Sequence, residues 1–269
     1  MDFKNRRILL TGAGGGIGRI LSEQLAAEGA RLCRLVHCSR VSGAAGQLAS
    51  EGGGEILTLA CDVTQSAERE DAVLAAEETW GGVDMLINLA GVLDFKPFQA
   101  MEPGMLHRML AVNIEAPMQF ARLLLPGMLA RGHGHLVNVG SMFGSIGFPF
   151  FSAYSASKFA LRGFSQALRR ELAGTGVRVT YVAPRAVKTP LNPPIVHEMA
   201  AQGLMTMDDP EPVARAILRA IARERGEAYL GFPESVFARL NAIFPALVDK
   251  ALAKQTPTLA RYATSRASR

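Results

Sequence analysis

Thr11-Gly12-Ala13-Gly14-Gly15-Gly16-Ile17-Gly18 is the stretch that decides the fold, because of what stands on either side of it. The residues before it, Arg7-Ile-Leu-Leu-Thr11, form a short apolar run that predicts a buried strand. Residues 17–28 repeat apolar side chains at helical spacing, and Gly29 predicts the end of that helix. A strand, a glycine-rich turn and a helix therefore open the chain.

Such a turn suits the binding of phosphate groups. Glycines let the backbone bend sharply and approach a pyrophosphate without a Cβ in the way. The first turn of the following helix adds unpaired N–H groups and the positive end of its dipole. The alternative is a structural turn without a ligand. We expect a dinucleotide to be bound by Gly12, Gly14, Gly15, Gly16, Ile17 and Gly18.

Short apolar runs continue to alternate with helical patterns along the chain. The predicted strands are residues 31–36, 55–60, 85–88, 135–139, 178–183 and 228–231, and the predicted helices are 66–79, 104–129 and 152–173, with another from 210. This alternation predicts an α/β fold with a parallel sheet, in one domain over residues 1–269. Pro117 is expected to bend the helix that contains it or to mark a tightened turn.

Two segments depart from the alternation. Residues 188–207 show no period, and their methionines predict an adaptable apolar pocket, so we take them as a substrate-binding loop. Residues 232–269 are predicted as a helical extension with an apolar stripe, split at Pro245 and ending in a loose basic tail from Pro257. The stripe could pack on its own or a partner subunit, cover an apolar substrate, or lie on a membrane surface.

The bulk composition excludes several classes of protein. The net charge is +5, but the basic residues are scattered, which argues against nucleic-acid binding. Three cysteines without CxxC spacing indicate buried thiols in a reducing, cytoplasmic setting. His133 and His135 have no third ligand nearby, so we expect no metal site.

The end of the second strand bears on the choice of dinucleotide. An acidic residue there would bind the ribose 2′-hydroxyl of NAD, but residues 37–40 contain none. His37 or Arg40 could instead contact the 2′-phosphate of NADP, although Arg40 could equally be a solvated loop residue. NADP is favoured over NAD.

Tyr154 and Lys158 stand four residues apart, which places a phenol and an ammonium on one helical face. A positive charge nearby would lower the tyrosine pKa, so that Tyr154 could exchange a proton with a carbonyl or alcohol oxygen. A tyrosine and a lysine at this spacing often occur together by chance. Ser141 strengthens the case, because it follows a predicted strand at the edge of the sheet where ligands bind.

Taken in order, these residues resemble the classical short-chain dehydrogenase/reductases over roughly residues 5 to 190. The matching pieces are Thr11-Gly12-xxx-Gly16-x-Gly18, Asp62, Asn88-x-Ala90-Gly91, Asn113, Ser141 and Tyr154-xxx-Lys158. The resemblance implies a single doubly wound Rossmann-type sheet of about seven strands, with helices on both faces.

The resemblance also implies a catalytic tetrad of Asn113, Ser141, Tyr154 and Lys158. Tyr154 would be the acid/base, Lys158 would hold the nicotinamide ribose, Ser141 would polarise the substrate oxygen, and Asn113 would hold a relay water. The remaining cofactor contacts it implies are Asp62, Val63, Asn88, Ala90, Gly91, Pro184, Val187 and Thr189.

Two positions depart from the family pattern. Leu89 stands where a second asparagine is usual, and Arg185 stands where a glycine usually follows Pro184. Arg185 could clash with the nicotinamide end, reach solvent, or contact an anionic group of the substrate.

We therefore expect an NAD(P)-dependent oxidoreductase acting on a small-molecule carbonyl or secondary alcohol, with an apolar or lipid-like one favoured by the C-terminal stripe. A homo-oligomer, dimer or tetramer, is expected, with peripheral membrane contact through the C-terminal helices left open. The alternative is a catalytically silent dinucleotide-binding sensor or scaffold, which would have no need of Tyr154.

Overall fold

The computed structural model describes residues 2–40, 46 and 48–264. The strands in this part of the chain are β1 Arg7–Thr11, β2 Arg31–Val36, β3 Leu48–Glu51, β4 Gly54–Ala60, β5 Met85–Asn88, β6 Gly134–Val139, β7 Val177–Pro184, β8 Ala186–Val187, β9 Met207–Asp208 and β10 Glu227–Leu230. The helices are α1 Gly16–Ala27, α2 Ser66–Trp80, α3 Pro103–Leu110, α4 Ala116–Arg131, α5 Ser152–Glu171, α6 Pro194–Ala201, α7 Pro210–Ala222, α8 Glu234–Ile243 and α9 Pro245–Thr264.

In these described residues, eight strands form the main sheet, in the order β10-β7-β6-β5-β1-β2-β4-β3. All neighbours are parallel except β3, which runs antiparallel to β4. The prediction of an α/β fold with a parallel sheet is therefore confirmed, but the expected count of about seven strands is wrong by one. The additional strand arises because Gly52 and Gly53 adopt positive φ and turn the chain back along β4.

Helices cover both faces of the sheet. On one face α1 packs against α7, with Leu21, Leu25, Ile217 and Ile221 fully buried between them and the strands. On the other face α2, α4 and α5 enclose a second apolar core. This is the doubly wound arrangement that the family resemblance implies, and it leaves the carboxyl ends of the strands open at one edge.

The helix predicted over 104–129 contains a widened turn. A π-helical turn over Ala111–Glu115 separates α3 from α4, so Pro117 follows a wide turn and not the tightened one we expected. Because proline has no N–H, Pro117 cannot donate to the carbonyl of Asn113 four residues earlier. Asn113, the polar residue in an otherwise apolar helix, lies within this wide turn.

The last two segments are more ordered than their sequence suggests. Residues 188–207, predicted without regular structure, contain α6, and β9 at their end pairs with β8. Pro245 divides α8 from α9 as predicted, but the loose tail from Pro257 is wrong. Helix α9 continues to Thr264, because Leu259 and Ala263, four residues apart, are buried beside Met199 and Tyr154 in a third core. Residues 265–269 lie outside the described part.

Within the described residues, no helix combines the length and the apolar character needed to cross a membrane.

Candidate active site

The predicted site residues meet at the carboxyl edge of the sheet. The turn after β1, the loops after β5, β6 and β7, and the first turns of α5 border two adjoining cavities. This is the edge at which open α/β sheets bind their ligands.

The glycine-rich turn is shaped for close approach. Gly12 has a φ of 70°, and a Cβ there would lie 2.7 Å from the backbone nitrogen of Ala90. A Cβ at Gly16 would lie 2.7 Å from Cγ2 of Thr189, and one at Gly18 would overlap the Gly12 carbonyl. In the described chain no side chain caps α1, and its first turn has no acid. Its N–H groups are therefore available to an anion.

A cavity of about 250 Å³ extends from this turn along the ends of β2 and β4. Its predicted lining residues are Gly12, Gly14, Gly15, Gly16, Ile17, Gly18, His37, Asp62, Val63, Ala90, Gly91 and Thr189. Ser39 and Arg108 also line it and are missed from the sequence, since nothing in their spacing marks them. Burial acts to raise the pKa of Asp62, but hydrogen bonds from Thr64 outweigh it and lower that pKa. Asp62 is therefore a carboxylate at neutral pH.

One predicted cofactor contact, Asn88, is placed elsewhere, and the side chain of another, Arg40, is not described. Asn88 does not line the cavity in the described chain, because its amide donates to Oδ1 of Asn138 at 2.9 Å and so ties β5 to β6. The backbone of Arg40 ends a short 3₁₀ turn, but its side chain lies outside the described part. His37 is exposed, and its Nδ1 lies 2.9 Å from the Ser39 hydroxyl. Cys38 is also exposed, so the expectation of three buried thiols is wrong at this position.

Tyr154 lies in the first turn of α5 and is only 7 % exposed. Its ring meets those of Phe143 and Phe151 edge-on, and its hydroxyl lies close to the Ser141 side chain, which affects its pKa. Burial raises the pKa of Tyr154 to about 12, although the Ser141 side chain acts to lower it. The lowering expected from Lys158 is therefore wrong for the protein by itself, because desolvation of the phenolate dominates.

Lys158 lies beneath the tyrosine ring, with Nζ 5.7 Å from the ring centroid. The ammonium donates a hydrogen bond to the carbonyl of Val139 at 3.3 Å. Burial lowers the pKa of Lys158 to about 8. Near neutral pH this group can therefore both carry a charge and exchange a proton.

Ser141 is held in place by Tyr181, a residue that the sequence motifs do not include. The Tyr181 hydroxyl donates to the Ser141 carbonyl at 3.2 Å and accepts from the Ser141 N–H at 3.4 Å. A Cβ at Gly140 or Gly144 would overlap the Tyr181 ring or hydroxyl, so both glycines are required for this contact. A tyrosine inside the apolar run of β7 is the signal that could have revealed it.

Asn113 is fully buried in the wide turn between α3 and α4. Its side-chain oxygen accepts from Val92 N–H at 2.9 Å, and its amide donates to the Val92 carbonyl at 2.9 Å and to Ser157 Oγ at 3.0 Å. The side chain therefore fixes the loop after β5, and the main-chain carbonyl of Asn113 has no N–H to accept from at Pro117, four residues later.

A second cavity of about 440 Å³ begins at Tyr154. Ser141, Lys158, Pro184, Val187 and Thr189 border its inner end. Its walls are mostly apolar and include Leu93, Phe143, Phe148, Leu191, Met205, Phe237, Leu240, Leu247, Val248, Ala251 and Leu252. Residues 203–206 and both C-terminal helices therefore form part of its wall.

The whole arrangement has counterparts among known proteins. The family model for short chain dehydrogenases matches residues 6–200. The chain is 33 % identical over 225 residues to the ketoacyl reductase HetN of Nostoc sp., covering 82 % of this chain and 77 % of that one. It is 32 % identical over 244 residues to mouse epidermal retinol dehydrogenase 2, covering 88 % and 78 % respectively. The chain belongs to the short-chain dehydrogenase/reductase family.

A solved family structure agrees with the fold. A short chain dehydrogenase from Burkholderia cenocepacia in complex with NADP superimposes with a TM-score of 0.77 at 24 % identity, over 94 % of this chain and 99 % of that one.

As a short-chain dehydrogenase/reductase, this chain is an NAD(P)-dependent oxidoreductase acting on CH–OH or C=O groups. The residues present fit the dinucleotide, because the turn leaves no room for a Cβ and the start of α1 is uncapped.

Arg185 does not extend freely into solvent, since its side chain is only 17 % exposed. Its Nε and Nη2 donate to the carboxylate of Asp208 at 2.8 and 2.7 Å. Its Nη1 donates to Glu234 at 3.0 Å and to the Phe232 carbonyl at 3.1 Å. The guanidinium is thus engaged within the protein, on one flank of the larger cavity.

Proposed function

We propose that this enzyme reduces a ketone or aldehyde with an apolar, lipid-like body, or oxidises the corresponding secondary alcohol, with Tyr154 as the general acid/base. The observation that carries the proposal is the position of Tyr154 and Ser141 at the inner end of a cavity whose remaining walls are mostly apolar. The names of the ketoacyl reductase and the retinol dehydrogenase are consistent with substrates of this kind.

A nicotinamide dinucleotide, when bound along the glycine-rich turn, supplies the hydride for reduction and accepts it in oxidation. Ser141 donates a hydrogen bond to the substrate oxygen. Tyr154, which holds its proton at neutral pH, transfers that proton to the oxygen as negative charge develops there. In the oxidative direction the phenolate must form first, so we expect the oxidation rate to rise with pH.

The proton taken from Tyr154 must be replaced. Lys158 can supply one, since its Nζ lies 5.7 Å from the centroid of the Tyr154 ring and its pKa is about 8. We propose that a water held by the main-chain carbonyl of Asn113 continues the relay. Gly91 lies beside Lys158, because a Cβ there would lie 3.8 Å from Nζ of Lys158 and 3.5 Å from the side-chain oxygen Oδ1 of Asn113.

Tyr154→Phe tests the catalytic role. Loss of the proton donor should reduce kcat by about 10²- to 10⁴-fold, while the dissociation constant of NADPH stays within twofold or so of wild type. Tyr229→Phe is a matched control and should retain activity, because the Tyr229 hydroxyl donates to Glu227 at 2.7 Å outside both cavities. If wild type reduces no member of a ketone and aldehyde panel, and the Tyr154 variant binds NADPH equally well, the sensor alternative is supported.

We propose NADP(H) as the preferred coenzyme. No acid lies at positions 37–40, and His37 and Ser39 line the cavity at the end of β2. Parallel titrations with NADPH and NADH test this preference. Tighter binding of NADH by tenfold, or about 1.4 kcal/mol, would contradict it.

We also propose that the C-terminal extension contacts an anionic membrane surface. Large apolar side chains are exposed beside exposed basic ones, which is the composition of interfacial helices. The apolar residues are Phe232, Val236, Ile243, Phe244 and Leu247, and the basic ones are Arg239, Lys250 and Lys254. Wild type should sediment with phosphatidylserine-containing vesicles more than Phe244→Glu does, and equal sedimentation would contradict the proposal.

We propose a homo-oligomer, because members of the family typically oligomerise and because two large apolar side chains are exposed, Met118 on α4 and Phe159 on α5. Light scattering of the purified protein measures its size, and a monomer at micromolar concentration would contradict this.

A further inference from the structure

Helix α8 is poorly anchored by apolar packing. Ala238 is its one buried residue, whereas Val236, Phe237 and Ile243 on the same helix are about half or more exposed. The helix nevertheless contributes Glu234, Phe237 and Leu240 to the wall of the larger cavity. Polar contacts must therefore carry much of its attachment.

Arg185 supplies the strongest of those contacts. Its planar guanidinium binds the Asp208 carboxylate through two parallel hydrogen bonds, and its remaining terminal nitrogen binds Glu234 and the Phe232 carbonyl. Three separate segments meet here, namely the loop after β7, the strand β9 before α7, and the start of α8. The arginine side chain is only 17 % exposed, so the ion pairs are sheltered from water.

The chain between β10 and α8 is adapted to this contact. Gly231 has a φ of 108°, and a Cβ there would lie 2.8 Å from Cδ of Arg185. A second link is weaker, since the Asn241 amide donates a single neutral hydrogen bond to the Ser145 carbonyl at 2.9 Å. Arg185 is thus the charged attachment of α8 to the body of the enzyme.

We propose that Arg185 is a positioning residue for substrate selection, which fixes α8 and α9 as the outer wall of the cavity by joining Asp208 to Glu234. Its guanidinium is already engaged within the protein, so it acts through the two helices. The effect falls on the distal part of a long apolar substrate, which reaches Phe237 on α8 and Val248 on α9. A small ketone held at Tyr154 is little affected.

The proposal rests on the proposed function, so its test includes a measurement that needs no turnover. Hydrogen exchange of residues 234–255 reports directly on the attachment of the two helices. In Arg185→Ala and in Glu234→Gln we expect these amides to exchange about tenfold faster than in wild type, with β1 and β5 unchanged. Glu234→Gln keeps the bond between Arg185 and Asp208, which guards against a general loss of folding.

Kinetics give the second readout, with NADPH and two probe ketones, cyclohexanone and 2-decanone. The ratio of KM for 2-decanone to KM for cyclohexanone should rise about tenfold in both variants. A tenfold weaker binding of 2-decanone is expected when roughly 55 Å² of its apolar contact returns to water. In Arg185→Lys the KM ratio should lie between the values of wild type and Arg185→Ala, because an ammonium cannot make the paired hydrogen bonds.

Arg178→Ala is the matched control, because Arg178 also forms an ion pair, with Glu224 at 2.6 Å, but on the exposed surface outside both cavities. It should leave the exchange and the KM ratio at wild-type values. Wild-type exchange in residues 234–255 of Arg185→Ala would overturn the proposal, even if no ketone is turned over. Faster exchange without any turnover by wild type would instead count against the proposed function alone.

Discussion

Replacing Lys158 with methionine should make the protein more stable while removing its activity. Methionine has nearly the same shape as lysine but carries no charge to desolvate. The pKa of Lys158 falls from 10.5 to about 8 on folding. At about 1.4 kcal/mol for each pKa unit, the buried charge costs about 3 kcal/mol below pH 8. Loss of the hydrogen bond to the Val139 carbonyl offsets about 1 kcal/mol, which leaves a net gain of about 2 kcal/mol.

The sign of the effect fixes its dependence on pH. The folded pKa lies below the unfolded one, so the cost is present in full below about pH 8 and disappears as the pH rises to about 10.5. Urea denaturation of wild type and Lys158→Met at pH 7 and pH 10 measures the difference. Lys254→Met, at an exposed position of α9, is the control and should change stability by less than about 0.5 kcal/mol.

A variant less stable than wild type at pH 7, or a difference that does not shrink at pH 10, would refute the reasoning. Activity should be lost at both pH values, because no other buried cation lies beneath the Tyr154 ring among the described residues.

Two further predictions concern the cofactor site and the C-terminal helix. Gly18→Ala should weaken NADPH binding by tenfold or more, about 1.4 kcal/mol, since the new Cβ would overlap the Gly12 carbonyl. Gly163→Ala is the control and should bind NADPH as wild type does, because a Cβ at this position of α5 meets open space. Equal titration curves for the two variants would contradict the prediction. Leu259→Ala should lower the free energy of unfolding by about 2–5 kcal/mol, whereas Leu74→Ala at an exposed position should have little effect. Similar urea midpoints for these two variants would show that the end of α9 is not packed.

The sequence predicts most reliably those features that a residue type and its neighbours along the chain are enough to identify. The glycines after β1 and the polar residues at the ends of β5 and β6 are of this kind, since their place beside a strand is enough to assign them. By contrast, β3 is not predicted, because all four of its residues are exposed and carry no alternating pattern. Its existence depends on pairing with β4, which is not a local property.

Other errors come from environments that a sequence does not display. Pro257 suggests an end to the last helix, whereas the burial of Leu259 decides that the helix continues. The spacing of Tyr154 and Lys158 shows the charge of the lysine but not the desolvation around the phenol, which sets the tyrosine pKa. The role of Arg185 stays open at the level of sequence because its carboxylate partners are 23 and 49 residues away.

Much of the wall of the larger cavity lies beyond the residues that the family model matches. The family match ends at residue 200, and this part of the wall comes from residues 203–206 and from α8 and α9. This part of the cavity wall is therefore separate in sequence from the glycine-rich turn and from the residues around Tyr154. Exchange of residues 232–264 between relatives should therefore change the substrate preference. Arg185, Asp208 and Glu234 should be retained in such chimaeras, because they attach α8 to the rest of the protein.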